Sequence, residues 1–246
     1  MAQFKMKIAG QVAQVDAMFE STPAYCRPYL TEEKADFSLA VTRDMLVFEQ
    51  DQLDEEARQE GFRLRTFTDP FLERAAIQRA FAEHLLAHNT LLLHGSAIAV
   101  DETGYLFTAR SGTGKSTHTR LWREVFGQRA QMINDDKPFL QLTDQSVLVC
   151  GCPWSGKHGL DSNITVPLSG ICILERGTQD RIFPLAPDQA MPMLSKQAYW
   201  PLAEEDHPLL RRLLDTLANQ VPLWRMECTK DPQAARVAWS AMSKGF

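Results

Sequence analysis

Period-two alternation marks the first 67 residues. Phe4, Met6 and Ile8 alternate with Lys5 and Lys7, Phe37, Leu39 and Val41 with Ser38 and Thr42, and Phe62 and Leu64 with Arg63 and Arg65. That alternation predicts half-buried strands. The acidic stretch 42–61 has mixed periodicity and fits either a strand running into a short helix or a solvated connection. At Asp69-Pro70 the period changes: Phe71, Leu72, Ala75, Ala76, Ala80, Phe81 and Leu85 form a 3.6-residue stripe behind a capping residue and a proline at the first helical position. From Leu91 the pattern predicts a buried strand over Leu91–Val100, a turn, and a strand over Tyr105–Thr108. A helix follows over Lys115–Phe126, ended by Gly127, then apolar strands near 131–133, 139–142, 147–150, 170–174 and 181–185. The last third predicts helices over 188–197, 204–219 and 232–243, with a strand at 223–227. Strands and helices therefore mix in an α/β (α+β) fold, with a small β-rich region at 1–67 and a larger domain at 68–246.

Composition leaves that picture in place and narrows the chemistry. The 246 residues carry 26 basic and 31 acidic side chains, a net charge of −5, with 44% hydrophobic residues. That is ordinary globular composition, and the scattered Lys and Arg form no basic stripe of the kind nucleic acid needs. Polar residues at Gln11, Gln14 and Asp16 interrupt the N-terminal stretch, so no signal-peptide core is expected. The longest apolar runs fall short of the roughly 17–25 residues of a membrane span. Five cysteines fit reduced thiols and a cytoplasmic setting. Cys150 and Cys152 share one strand face and read as small apolar residues, and Trp200, Trp224 and Trp239 as core or domain contacts.

The chemistry concentrates at Ala109-Arg110-Ser111-Gly112-Thr113-Gly114-Lys115-Ser116-Thr117, set between an apolar strand and an amphipathic helix. That is the context of a phosphate-binding loop, with Ala109 standing where glycine is usual. Its amides can wrap a polyphosphate with help from the helix dipole, Lys115 can reach the β and γ phosphates, and Ser116 can bind a metal ion. Gly112 and Gly114 give the backbone freedom. About twenty residues on, Asn134-Asp135-Asp136 ends an apolar segment. By itself this is a turn. Beside a phosphate loop, two adjacent carboxylates also meet two demands, one for a metal ligand and one for a base. His94, in the preceding strand, reads from its surroundings alone as a core histidine.

His94-Gly95, a strand pair, Ser111–Thr117 and Asn134-Asp135-Asp136, in that order and spacing, resemble HPr kinase/phosphorylase and its relatives, whose nucleotide site looks like that of phosphoenolpyruvate carboxykinase. The resemblance covers about residues 90–175 and implies a carboxykinase-like nucleotide-binding core with a mixed sheet. It implies that His94 stands near the reacting phosphate, that Asp135 acts as base toward a seryl hydroxyl, and that Asp136 joins Ser116 at magnesium. The loop Cys152-Pro153-Trp154-Ser155-Gly156-Lys157-His158-Gly159 resembles a segment of HPr-kinase-like proteins. Lys157 there either neutralises charge on a transferring phosphoryl group or is a surface lysine of a solvated hairpin.

The expectation is an ATP- and magnesium-dependent kinase of the HPr-kinase-like group acting on a hydroxyl, that of a serine on a small protein or peptide. Its other readings are a nucleotide-binding sensor that transfers nothing and a kinase of a free metabolite. An exposed flat surface at Trp154 would suit a protein acceptor, and a closed pocket at Lys157 a small one. Decarboxylation is not expected. The resemblance also implies self-association into homo-oligomers.

Overall fold

The computed structural model describes residues 1–244 as two compact units, Met1–His84 and the described residues from Leu85 onward. The expected boundary at residue 67 falls before a helix whose residues, through His84, group with the first unit.

The first unit holds β1 (Ala2–Ile8), β2 (Gln11–Ala17), a short α1 (Ser21–Tyr25), β3 (Phe37–Ala40), α2 (Arg43–Glu60) and all but the last two residues of α3 (Asp69–Leu86). β1 and β2 pair antiparallel, and β3 joins β2 in parallel. The stretch at 42–61 that periodicity left open is the 18-residue α2, started by the Thr42 hydroxyl accepting from the Met45 amide. Phe62–Arg65 is no strand, contrary to its alternation. The Gln50 side chain takes the ladder's place there, donating to the Arg65 carbonyl and accepting from the Phe67 amide, both at 2.9 Å. Phe62 and Leu64 stay exposed.

The second unit is built on β4 (Thr90–Leu92), β5 (Ser96–Val100), β6 (Thr103–Thr108), α4 (Lys115–Phe126), β7 (Ala130–Asn134), β8 (Phe139–Leu142), β9 (Val147–Cys150), β10 (Thr165–Arg176), β11 (Arg181–Pro184), α5 (Pro187–Gln197), α6 (His207–Gln220), β12 (Leu223–Cys228) and α7 (Gln233–Met242). Its mixed sheet of nine strands, counted among the described residues, runs β4-β8-β9-β10-β6-β5-β7, with β12 beside β10 and β11 beside β12. β10 is antiparallel to β9 over Thr165–Pro167, then parallel to β6 and β12.

Strand periodicity sorts the core onto two faces. Leu106, Ile171 and Ile173 face a cluster closed by Leu194 of α5 and Leu210, Leu214 and Leu217 of α6. Tyr105, Phe107, Cys172 and Leu174 face the opposite cluster, closed by Leu121 and Trp122 of α4 and Ala235, Ala238 and Met242 of α7. Each such large side chain contributes about 1.5–3 kcal/mol by leaving water. His118 of α4 sits in the second cluster, its imidazole accepting from Trp122 Nε1 at 3.1 Å, and burial pushes its pKa down to about 3.

The expected continuous strand 91–100 is broken. β4 pairs with β8, β5 pairs with β6 and β7, and His94-Gly95 forms the bend between them. The reason lies in the backbone partners: the His94 amide donates to the Gln197 carbonyl and the Gly95 amide to the Asp136 carbonyl, each at 2.8 Å. His94 is therefore at a bend and not inside a strand. No helix of the described residues is long and apolar enough to cross a membrane.

Candidate functional site

The sheet's parallel strands β6, β10 and β12 end on one edge, and ligands of α/β sheets sit at such carboxyl ends. There β6 gives way to the 109–114 loop and α4. Gly114, with φ +123°, makes the turn into the helix. That φ lies in the region closed to residues bearing a Cβ. The first bond of the α4 ladder runs from the His118 amide to the Gly114 carbonyl at 2.9 Å, so the amides of 115–117 lie ahead of the ladder. Ser111, Gly112 and Ser116 are exposed, whereas Lys115 is only 9% exposed and donates to the Ala109 carbonyl at 3.3 Å.

The acidic pair arrives from β7. Asn134, fully buried at the end of that strand, organises the turn beyond it. Its Oδ1 accepts from the amides of Asp136 (2.8 Å) and Lys137 (2.7 Å), and its Nδ2 donates to the carbonyls of Cys152 (2.9 Å) and Trp154 (3.2 Å). One side chain thus fixes the acidic turn and pins the 152–154 loop to it. Asn134→Asp would keep both accepting bonds and set a carboxylate oxygen against two carbonyls. We expect it to lower the unfolding free energy by about 2–4 kcal/mol, the scale of a broken buried polar network, in urea titrations. A change below about 0.5 kcal/mol, the size of a neutral surface substitution, would refute the clamp.

Asp135 and Asp136 are driven apart electrostatically. Asp135 is nearly buried, and its Oδ1 accepts from the Gly156 amide at 2.5 Å. Burial raises its pKa and neighbouring Asp136 adds to that, opposed by the Gly156 bond and the nearby His158. A Cβ at Gly156 would lie 3.3 Å from both carboxylate oxygens, so glycine is what permits this close approach. At Asp136 burial also opposes ionisation, but the hydrogen bond from His94 and the charges of Lys137 and Lys115 outweigh it and lower the pKa. His94 Nε2 lies 3.3 Å from Asp136 Oδ1, and the His94 carbonyl accepts from Thr108 Oγ1 at 2.9 Å, directly before the loop.

Asp136 is thus linked to both His94 and Lys115, and Asp135 is its neighbour in the chain. Ser111, Gly112, Thr113, Gly114, Ser116 and Thr117 lie along the loop and the first turn of α4. Lys157 is exposed, one residue past the Gly156 that caps Asp135. Trp154 is buried, edge-on to Phe139 with centroids 6.4 Å apart, so it presents no flat aromatic surface. Among the described residues no group of three or more His, Cys, Asp or Glu could hold a metal ion. A divalent ion here would need one or two side chains plus phosphate oxygens, the arrangement magnesium favours, and anionic Asp136 with exposed Ser116 fits that demand.

Three contributors went unassigned in the sequence: the Asn134 clamp, the Gly156 cap, and Arg176, whose Nη2 donates to the Gly112 carbonyl at 2.6 Å. An Asn heading a turn at a strand end is a legible Asx signal. Gly156 and Arg176 depend on contacts distant in the chain.

No family model matches this chain, and no curated protein does. Among solved structures it is similar to the Hpr(Ser) kinase/phosphatase from Coxiella burnetii, at 12% identity and a TM-score of 0.37, with 62% of this chain and 97% of that one covered.

Proposed function

We propose that the chain is an ATP-dependent phosphotransferase that moves the terminal phosphoryl group of MgATP to a hydroxyl, borne by a serine of a small protein or peptide or by a small molecule. The observation that carries it is the junction at Asp136. One carboxylate feels the charge of the phosphate-loop lysine and bonds the histidine ahead of the loop. Loop amides and Lys115 would cradle the β and γ phosphates, His94 would stand near the transferring group, and Asp135 would accept the hydroxyl proton. Ser116 and Asp136 would hold magnesium, which neutralises charge on the phosphate oxygens when bound. Lys157, on its exposed loop, would offer a cation to the same charge.

One observation favours a second reading, a nucleotide sensor without transfer: the Asp135 carboxylate is nearly buried and already engaged by the Gly156 amide. Calorimetry with MgATP, followed by γ-labelled ATP with and without seryl peptides, separates the two. Saturable binding with release or transfer of label supports the phosphotransferase. Binding with no product over long incubation supports the sensor, and no binding overturns both.

A further inference from the structure

Two hydrogen bonds hold the peptide between Gly112 and Thr113 from opposite sides. Arg176 Nη2 donates to its carbonyl at 2.6 Å, and its N–H, on Thr113, donates to the Arg110 carbonyl at 3.2 Å. The C=O and N–H of a trans peptide point opposite ways, so this pair of bonds fixes the orientation of the plane. Gly112, with φ +72°, stands third in the Arg110–Thr113 turn, where a type II turn requires a positive φ.

Packing does not supply that restraint. A Cβ built on Gly112 would meet nothing within 4 Å, and the loop tip is exposed. Glycine has no Cβ to restrict its own side of this peptide, so on that side hydrogen bonds, and not side-chain sterics, set its orientation.

The base of Arg176 is, by contrast, firmly set. It is the last residue of β10, paired with Cys228 of β12, and the next amide, Gly177, donates to the Cys228 carbonyl at 3.1 Å. Glu175 before it pairs with Arg225 at 3.3 Å. Because β10 and β6 are parallel with Ile173 beside Thr108, both strands deliver their C-terminal ends to the same edge, and the guanidinium reaches the loop from a fixed rod.

We infer that Arg176 is a positioning residue of the phosphate loop. It holds the Gly112–Thr113 peptide in one orientation, so that the loop meets a polyphosphate already shaped. The inference rests on the nucleotide reading for its purpose and on the loop geometry for its substance, and the test separates these.

Hydrogen exchange of the intact, ligand-free chain reads the loop directly. Arg176→Ala is expected to speed exchange of the 112–114 amides about tenfold, the scale of one charge-assisted hydrogen bond, and to leave β10 and β12 unchanged. Arg176→Lys, a single-point donor, is expected to restore part of the protection. Calorimetry with MgATP should then show affinity weakened by about tenfold in Arg176→Ala and by less in Arg176→Lys. Equal loop exchange in wild type and Arg176→Ala overturns the inference, and so does equal MgATP affinity. A general loss of protection across the sheet would make Arg176 a structural residue and overturn it as well. A wild-type chain that binds no MgATP overturns the nucleotide reading, while the exchange result still decides the hold of Arg176 on the loop.

Discussion

Lys115→Ala is expected to lower MgATP affinity by about 100-fold or more, which corresponds to at least about 2.7 kcal/mol. The magnitude follows from where the ammonium sits. Lys115 is among the few buried charged side chains of the described residues, held at the start of α4 against the Ala109 carbonyl, so its charge acts where water screens it poorly. A triphosphate arriving at the loop would find a buried, fixed cation there, and loop amides alone carry only partial charges. Losing it also removes one of the influences that keep Asp136 anionic, so the Asp136 carboxyl should titrate at higher pH in the variant. Calorimetry measures the affinity, and a carboxyl-resolved NMR titration measures the coupled change. Wild-type affinity in Lys115→Ala would remove the loop from the nucleotide site. An unmoved Asp136 titration would separate the loop lysine from the acidic pair, and the junction that carries the proposal would dissolve.

How much of this was legible in the sequence depended on the range of the interactions involved. α4 occupies Lys115–Phe126 as its period and the Gly127 stop predict, because an amphipathic helix and its terminating glycine are local properties. The strands at 139–142, 147–150 and 223–227 were equally local. Two readings failed where a distant partner claimed the backbone. Phe62–Arg65 has strand alternation, but Gln50, reaching back from α2, engages its polar groups. The run 91–100 is apolar throughout, yet Gln197 and Asp136 capture the amides of His94 and Gly95 and divide it. Hydrophobic period reports which face is buried and is silent about which backbone group finds which partner. The candidate site divides the same way. The loop and the acidic pair were contiguous motifs, whereas the Arg176 bond and the Gly156 cap exist only once β10, β6, β5 and β7 have assembled into one sheet.

Asp135→Asn is expected to leave MgATP affinity within about twofold and to lower phosphoryl transfer by about 10²–10⁴-fold, the usual contribution of a general base. Asparagine keeps an oxygen for the Gly156 amide, so the loop above it should stay in place. The substitution removes an atom able to take a proton. The pH dependence follows from the opposed shifts of the pair. Burial places the Asp135 pKa above the ordinary carboxylate value, while Asp136, held by His94 and its cationic neighbours against its own burial, lies below. On acidification Asp135 therefore protonates first. Because a base works only when deprotonated, transfer should decline at a higher pH than an ordinary aspartate would impose, with metal binding at Asp136 still intact. Stability should move the other way. A carboxyl whose folded pKa is raised favours folding at low pH and loses that contribution as pH rises through the folded value. At neutral pH the ionised Asp135 costs stability, and Asp135→Asn should match or exceed wild type in thermal unfolding. Full transfer by Asp135→Asn would end the base assignment. Transfer lost together with MgATP affinity would make Asp135 part of the binding site, with Gly156 its partner in shaping it.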